Sequence, residues 1–180
     1  MGKRSEFERV PRDFYPTPLA AVIPLIKNIE KVDYYEPCVG KLDLVKHLAE
    51  SNIECLGFSD IHNQYDDVAA YAELDATTYQ YNLPKKAVFI TNPPWDRVIL
   101  HRIIENLSNQ APTWLLFDSD WLFTKQATPF LPRLRKIIVI GRVKWIPDSK
   151  FTGKDNCCWY LFDKPSNNNT IEFLGKGINV

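Results

Sequence analysis

Apolar residues along this chain of 180 residues gather into short runs separated by stretches with helical spacing. The runs VDYYEPC (32–38), IECLGFSD (53–60), AVFITN (87–92), TWLLFDSD (113–120), RKIIVIGRVKWI (135–146) and NCCWYLFDK (156–164) read as buried strands. Between them, DRVILHRIIENLS (96–108) repeats apolar residues at Val98, Ile99, Ile103 and Leu107, which is helical periodicity. DLVKHLAESN (43–52) is an amphipathic helix with Asp43 as its expected cap. PLAAVIPLIKNI (18–29) reads as a helix with Thr17 as N-cap and Pro18 in the first helical position. Pro24 is expected to kink it or cut it short, because proline lacks the donor a helix interior needs. QYDDVAAYA (64–72) is a further candidate helix, 121–131 is irregular or a short helix, and PDSKFTGKD (147–155) is a loop.

Strands alternating with helices imply right-handed crossovers and a mostly parallel sheet with helices on both faces. A seven-stranded sheet is expected, with ELDA (73–76) counted among the strand ends. The last two runs follow one another without a helix, so one strand is expected to be antiparallel. Residues 1–13 form a charged, mobile arm, 14–164 a single domain, and 165–180 a polar tail on which no structure is placed. No stretch is left over for a separate target-recognition domain. In such a sheet ligands bind beyond the carboxyl ends of the strands, near the switch in strand order. Those ends are YEPCVG, GFSD, ELDA, TNPPW and FDSD, and each carries a carboxylate or amide side chain.

Composition narrows the picture less than pattern does. About 45% of residues are apolar, enough for one sizeable core, and the formal net charge is zero. The charge is uneven, with 10 basic and 14 acidic side chains in residues 1–90 against 12 and 8 in 91–180. Arg133, Arg135, Lys136, Arg142, Lys144, Lys150 and Lys154 face only Asp148 across residues 133–154, and Trp145 and Phe151 lie among them. That stretch is a candidate basic and aromatic face, or simply a solvated surface. Cys38, Cys55, Cys157 and Cys158 form no C-x-x-C pair and read as reduced core residues of a cytoplasmic protein. No metal spacing is present, and His47, His62 and His101 are scattered. Asp118 and Asp120 read as solvated strand-end acids. No apolar run approaches the roughly 20 residues that span a bilayer, and the start lacks a secretory signal.

The stretch ITNPPWDR (90–97) carries the sharpest chemistry. Two consecutive prolines halt any regular element, and an amide and a large flat ring flank them. Such a corner is either a tight turn before a core tryptophan or a seat for something planar and polar. Taken with the other strand ends, it resembles the class I S-adenosylmethionine-dependent methyltransferases, of the subclass that methylates an amino group. The resemblance runs from about Phe14 to Asp163 and implies a Rossmann-like methyltransferase fold with S-adenosylmethionine as cofactor. It further implies that Asn92, Pro93, Pro94 and Trp95 recognise the exocyclic amine of adenine. An adenine amine is a poor nucleophile because its lone pair is delocalised into the ring. Acceptors at the Asn92 side chain and the Pro93 carbonyl would bind both N–H groups and favour a nitrogen whose lone pair is available. The prolines hold those acceptors rigid. Trp95 would stack on the extruded base.

On the cofactor side, EPCVGKLD (36–43) resembles the family's glycine-rich loop, with Glu36 at the acidic position, Pro37 after it and Gly40 matching. Leu42 stands where the second glycine belongs, a position where glycine takes a positive φ. The resemblance assigns Asp60 to the two ribose hydroxyls and Asp75, with the Ala76 N–H, to the cofactor's adenine. It assigns Phe14, Tyr15 and Thr17 to the segment that covers the cofactor. The substrate it implies is adenine in DNA, methylated at N6, with Arg142, Lys144, Lys150 and Lys154 as candidate phosphate contacts. The small size and the run 141–163 resemble compact phage-encoded adenine methyltransferases, which would place the protein in the host cytoplasm. RNA adenine and a protein glutamine amide present the same geometry to the same corner. A degenerate fold that binds without catalysis is the alternative that Leu42 keeps open.

Overall fold

The computed structural model describes residues 15–63, 72–146, 148, 150, 152–167 and 170–177. Among these, eight strands form one sheet: β1 (Tyr34–Glu36), β2 (Cys55–Asp60), β3 (Ala72–Glu73), β4 (Val88–Thr91), β5 (Thr113–Asp118), β6 (Leu134–Arg142), β7 (Asn156–Phe162) and β8 (Glu172–Leu174). Their order is β3-β2-β1-β4-β5-β7-β6-β8. β7 runs antiparallel to both of its neighbours, and every other pairing is parallel. The single antiparallel strand matches the expectation, and its cause is chain economy. With no crossover helix after β6, the chain can only double back. The eighth strand corrects the expected seven. It lies in the tail, where Phe173 pairs beside Ile137, and three residues of edge strand are too short to announce themselves.

Three helices, α1 (Leu19–Asn28), α2 (Asp43–Ala49) and α3 (Arg97–Ser108), cover the sheet. On one face, Ala21, Val22 and Leu25 of α1 and Leu44 and Leu48 of α2 meet Ile90, Trp114, Leu116 and Trp159. On the other, Leu100, Ile103, Ile104 and Leu107 of α3 meet Phe89, Leu115, Phe117 and Tyr160. The alternation of Trp114 and Leu116 with Leu115 and Phe117 explains why TWLLFD has no polar side: both of its faces are buried. The Trp159 indole N–H donates to the Ala21 carbonyl at 2.8 Å, so the core pairs the one polar atom of that ring.

Several helix starts differ from the expectation. α1 begins at Leu19 with Pro18 as N-cap, and Thr17 makes no cap hydrogen bond. The helix continues through Pro24 to Asn28, whose side-chain amide donates to the Pro24 carbonyl at 2.8 Å. Asp43 is the first residue of α2, and Leu42 is its N-cap. In α3 the cap is Asp96, which accepts from Val98 and Ile99 N–H. The 121–131 region is two 3-10 stretches, Ser119–Phe123 and Lys125–Arg133, and in the second Pro129 and Pro132 forbid a regular α-helix. The candidate helix at 64–72 falls on residues outside the described ones, apart from Ala72, which begins β3.

Asp118 corrects a second expectation. It is 8% exposed, where solvation was expected, and binds the Arg97 guanidinium at 2.8 Å while capping the first 3-10 stretch through Trp121 N–H. Among the described residues no helix is long and apolar enough to cross a membrane.

Candidate functional site

The chain leaves β1 toward β2 and β3 on one side of the sheet and enters β4 and β5 on the other, so β1 and β4 flank the switch in strand order. Glu36 ends β1 and Asn92 follows β4. A cleft opens between these ends, lined among others by Tyr15, Thr17, Glu36, Pro37, Gly40, Asp60, Asp75, Ala76 and Pro94. Residues assigned to a cofactor from four separate stretches of sequence are thereby brought to one place, with Pro94 of the Asn-Pro-Pro-Trp corner beside them. Phe14 lies outside the described residues.

The loop after β1 is held against β2. Val39 N–H donates to the Ser59 carbonyl at 3.0 Å, and Gly40 N–H donates to Asp60 Oδ2 at 2.9 Å. Asp60 Oδ1 accepts from His62 N–H at 3.2 Å. Gly40 has φ +52° and Leu42 has φ +62°, so the loop follows the path a second glycine would follow, with a leucine in the left-handed region. That conformation costs a non-glycine residue roughly 1–2 kcal/mol. Leu42→Gly is therefore expected to raise stability by about 1 kcal/mol in denaturant unfolding, after the glycine's own entropic cost. An unchanged or lower stability would mean that Leu42 does not hold this conformation in solution.

Electrostatically the cleft is an acid cluster with one orphan. Glu36 is 1% exposed, and its Oε2 has no hydrogen-bond partner. Burial, followed by the nearby Asp60 and Asp43 carboxylates, pushes its carboxyl well above the usual carboxylate range. Burial also raises Asp60, against the pull of its backbone donors from Gly40, His62 and Ile61. Cys38 lines the same cleft, and burial followed by the Asp60 charge pushes its thiol well above its ordinary value, toward the protonated form. Asp75 spends Oδ1 on Thr77, through N–H at 2.8 Å and hydroxyl at 2.7 Å. Its Oδ2 has no partner among the described residues.

The Asn-Pro-Pro-Trp corner closes the cleft's far side. Asn92 Nδ2 donates to Thr17 Oγ1 at 3.1 Å and to the Tyr15 carbonyl at 3.5 Å. The Trp95 indole N–H donates to Asn92 Oδ1 at 3.3 Å and to the Leu116 carbonyl at 3.1 Å. An indole N–H only donates and a carbonyl only accepts, so this network fixes which way the amide points. Thr17, expected to cap a helix, instead ties the cofactor segment to the corner. Trp95, expected to stack on a base, is half-buried, meets Trp145 edge-on at 5.5 Å, and holds the acceptor oxygen. No hydrogen bond reaches the Pro93 carbonyl among the described residues.

Sequence reasoning missed the apolar walls. Ile61 is 61% exposed and Ile99 41% exposed, and both line the cleft with Ile103. The available signal was an isoleucine directly after a strand-end acid, with no partner to bury it. Of the candidate phosphate contacts, Arg142, Lys144, Lys150 and Lys154 are all exposed and lie outside the cleft. Trp145 is not part of that basic surface, since its ring packs between Tyr15 and Trp95. Phe151 lies outside the described residues. Cys157 and Cys158 are buried in β7, whereas Cys38 and Cys55 are only half-buried, and all four are free thiols. His101 accepts from the Trp121 indole N–H at 3.0 Å and is thus satisfied structurally. Among the described residues no group of three or more His, Cys, Asp or Glu side chains is placed to hold a metal.

No family model matches the sequence, and no curated protein matches it significantly. Solved structures do match. A protein of Listeria monocytogenes assigned to the class I S-adenosylmethionine-dependent methyltransferases superposes with TM-score 0.54 at 10% identity, over 94% of this chain and 68% of that one. A protein of Agrobacterium tumefaciens assigned as an O-methyltransferase gives TM-score 0.55 at 12% identity, over 90% and 87%. A dimethyladenosine transferase of Plasmodium falciparum gives 0.52 at 14%, over 85% and 63%. An O-methyltransferase and a dimethyladenosine transferase stand side by side among these descriptions, so the likeness speaks to architecture and leaves the acceptor to the site. The chain has the Rossmann-like fold of the class I methyltransferases.

Proposed function

We propose that this chain transfers a methyl group from S-adenosylmethionine to the exocyclic N6 amine of adenine in DNA. The observation that carries the reading is the Asn92–Thr17 hydrogen bond, which joins the Asn-Pro-Pro-Trp corner to the acid-lined cleft. A turn that merely ended a strand would need no such tie.

The cleft residues fit the cofactor. Glu36 Oε2 is a buried acceptor without a donor, as a site for a cationic ligand requires. Asp60 is pinned by backbone N–H groups at the end of β2, and Asp75 keeps Oδ2 for a ligand at the other end of the cleft. Ile61 and Ile99 offer apolar walls to a flat ring. Bound there, S-adenosylmethionine supplies an electrophilic methyl group on a positively charged sulfur.

The chain's own contribution is to prepare the nucleophile. Asn92 Oδ1 has two lone pairs, so it accepts one adenine N–H while keeping the Trp95 indole N–H. The Pro93 carbonyl accepts the second N–H. Both acceptors are fixed before substrate arrives, the first by Thr17 and Trp95 and the second by two prolines, so little reorganisation remains at the moment of reaction. No strong base is needed, because the amine proton becomes acidic once nitrogen gains a fourth substituent. Cations at the carboxyl edge of the sheet, Arg142 and Lys144 among them, favour a polyanionic substrate over a protein glutamine.

Calorimetric titration with S-adenosylmethionine is the first test. Saturable binding is expected, and Leu42→Gly is expected not to weaken it. Absence of binding at millimolar ligand would remove the enzyme reading and leave a fold that has lost its cofactor.

A further inference from the structure

A second groove opens at the same carboxyl edge of the sheet, beyond β5, on the face that carries α3. Phe123 (84% exposed), Phe173 (62% exposed), Arg142 and Lys176 line it together with Ser119 and Asn156. None of its lining residues is acidic. Arg142 and Lys176 are exposed, and neither has an ion pair among the described residues. Glu172, on the neighbouring strand, is already taken by Lys136 at 2.8 Å.

The backbone builds this juxtaposition. The β6–β7 register slips between Val139 and Gly141, and Gly141 adopts φ +89°. The Lys176 ammonium lies across that glycine, 3.4 Å from where a Cβ would stand. The bulge bends the end of β6, and Lys176, from the segment after β8, lies against it in the same groove as Arg142. Asp118 and Gly141 both pair with Cys157, so the groove and the end of β5 are level. β4 and β6 are three strand spacings apart, about 14 Å. The groove thus lies about four stacked nucleotides from Asn92 along one edge, at about 3.4 Å per nucleotide.

Two exposed aromatic rings and two cations without an ion pair among the described residues, with no acid in the lining, match the alternation of base and phosphate along a nucleic-acid strand. We propose that this groove seats a single strand running to the Asn92 corner, with bases stacked on Phe123 and Phe173 and phosphates held by Arg142 and Lys176. The strand's destination rests on the methyl-transfer reading; the groove's affinity for the strand does not. It would hold the substrate strand without reading its sequence.

The test uses the full chain and a fluorescein-labelled oligothymidine of about 12 nucleotides, which carries no adenine and so no target amine. Fluorescence anisotropy is expected to show salt-sensitive binding that Phe123→Ala weakens about tenfold. The double variant Arg142→Glu/Lys176→Glu is expected to bind more weakly still and to lower the slope of log affinity against log salt by about 1.4, for two lost phosphate contacts. Cofactor affinity measured on the same preparations controls for folding. Oligouridine in a parallel arm tells which sugar the groove prefers. No binding by the parent chain, or equal binding by all variants, overturns the proposal. Should the parent methylate adenine while the groove variants keep its substrate KM, the groove proposal falls and the proposed activity stands. Groove-dependent binding without transfer to any nucleic acid would do the reverse.

Discussion

Replacing Asn92 by alanine is expected to lower methyl transfer by a factor of about a hundred to a thousand, the range found when one preorganised polar contact to the reacting group is removed. Cofactor affinity is expected to fall far less. The amide oxygen serves the substrate, whereas the amide nitrogen only steadies Thr17 and Tyr15 at the cleft wall. Asn92→Asp separates the two functions. It keeps an acceptor where the amine binds and can still receive the Thr17 hydroxyl proton, but it cannot donate to the Tyr15 carbonyl. Measurable transfer by the aspartate variant and almost none by the alanine variant is the expected pair of results, read as kcat with cofactor saturating. Equal losses of kcat and cofactor affinity in the alanine variant would mean that Asn92 is structural.

Glu36→Gln is expected to act in opposite directions on folding and on binding. Burial raises the Glu36 carboxyl, and a group whose folded pKa lies above its unfolded value contributes stability that is complete below the unfolded pKa. That contribution is lost as pH rises through the folded pKa. At neutral and alkaline pH, above the unfolded value, burial of this carboxyl costs the empty protein stability, and the glutamine variant, which does not titrate, is expected to unfold at a higher temperature than its parent. The two should converge toward pH 4, near the unfolded carboxylate value. Binding reverses the sign. A cationic ligand meeting Oε2 gains a charge-assisted contact worth about 1.5–3 kcal/mol, so the variant is expected to bind S-adenosylmethionine about ten- to a hundredfold more weakly. Parent affinity should rise with pH as Glu36 ionises, and the variant should lose that dependence. A variant both less stable at neutral pH and unchanged in affinity would contradict the assignment.

How much of this was legible in the sequence depends on what kind of signal each part carries. The central strands were readable because TWLLFD and VFIT are apolar on both faces, which is how a doubly covered strand must look. The antiparallel β7 followed from a missing helix. β8 was not readable, since an edge strand of three residues gains its order from β6 and not from its own composition. Thr17 and Asp43 were assigned as caps by local rules, and neither serves as one: the remote Asn92 claims Thr17, and the left-handed backbone at Leu42 moves the start of α2 by one residue. Within the site, acids at strand ends were visible as residue types. The orphaned Glu36 oxygen, the Trp95–Asn92 bond and the groove at Phe123 depend on neighbours remote in sequence. Asp118 shows the same limit, because its partner Arg97 lies 21 residues away across the sheet.

The most direct test of the central claim is to incubate the protein with methyl-labelled S-adenosylmethionine and DNA, RNA or protein in parallel, and then identify the labelled product by nucleoside and amino-acid analysis. The account predicts N6-methyladenine recovered from DNA. Label on a glutamine amide, or no label anywhere from a protein that binds the cofactor, would contradict it.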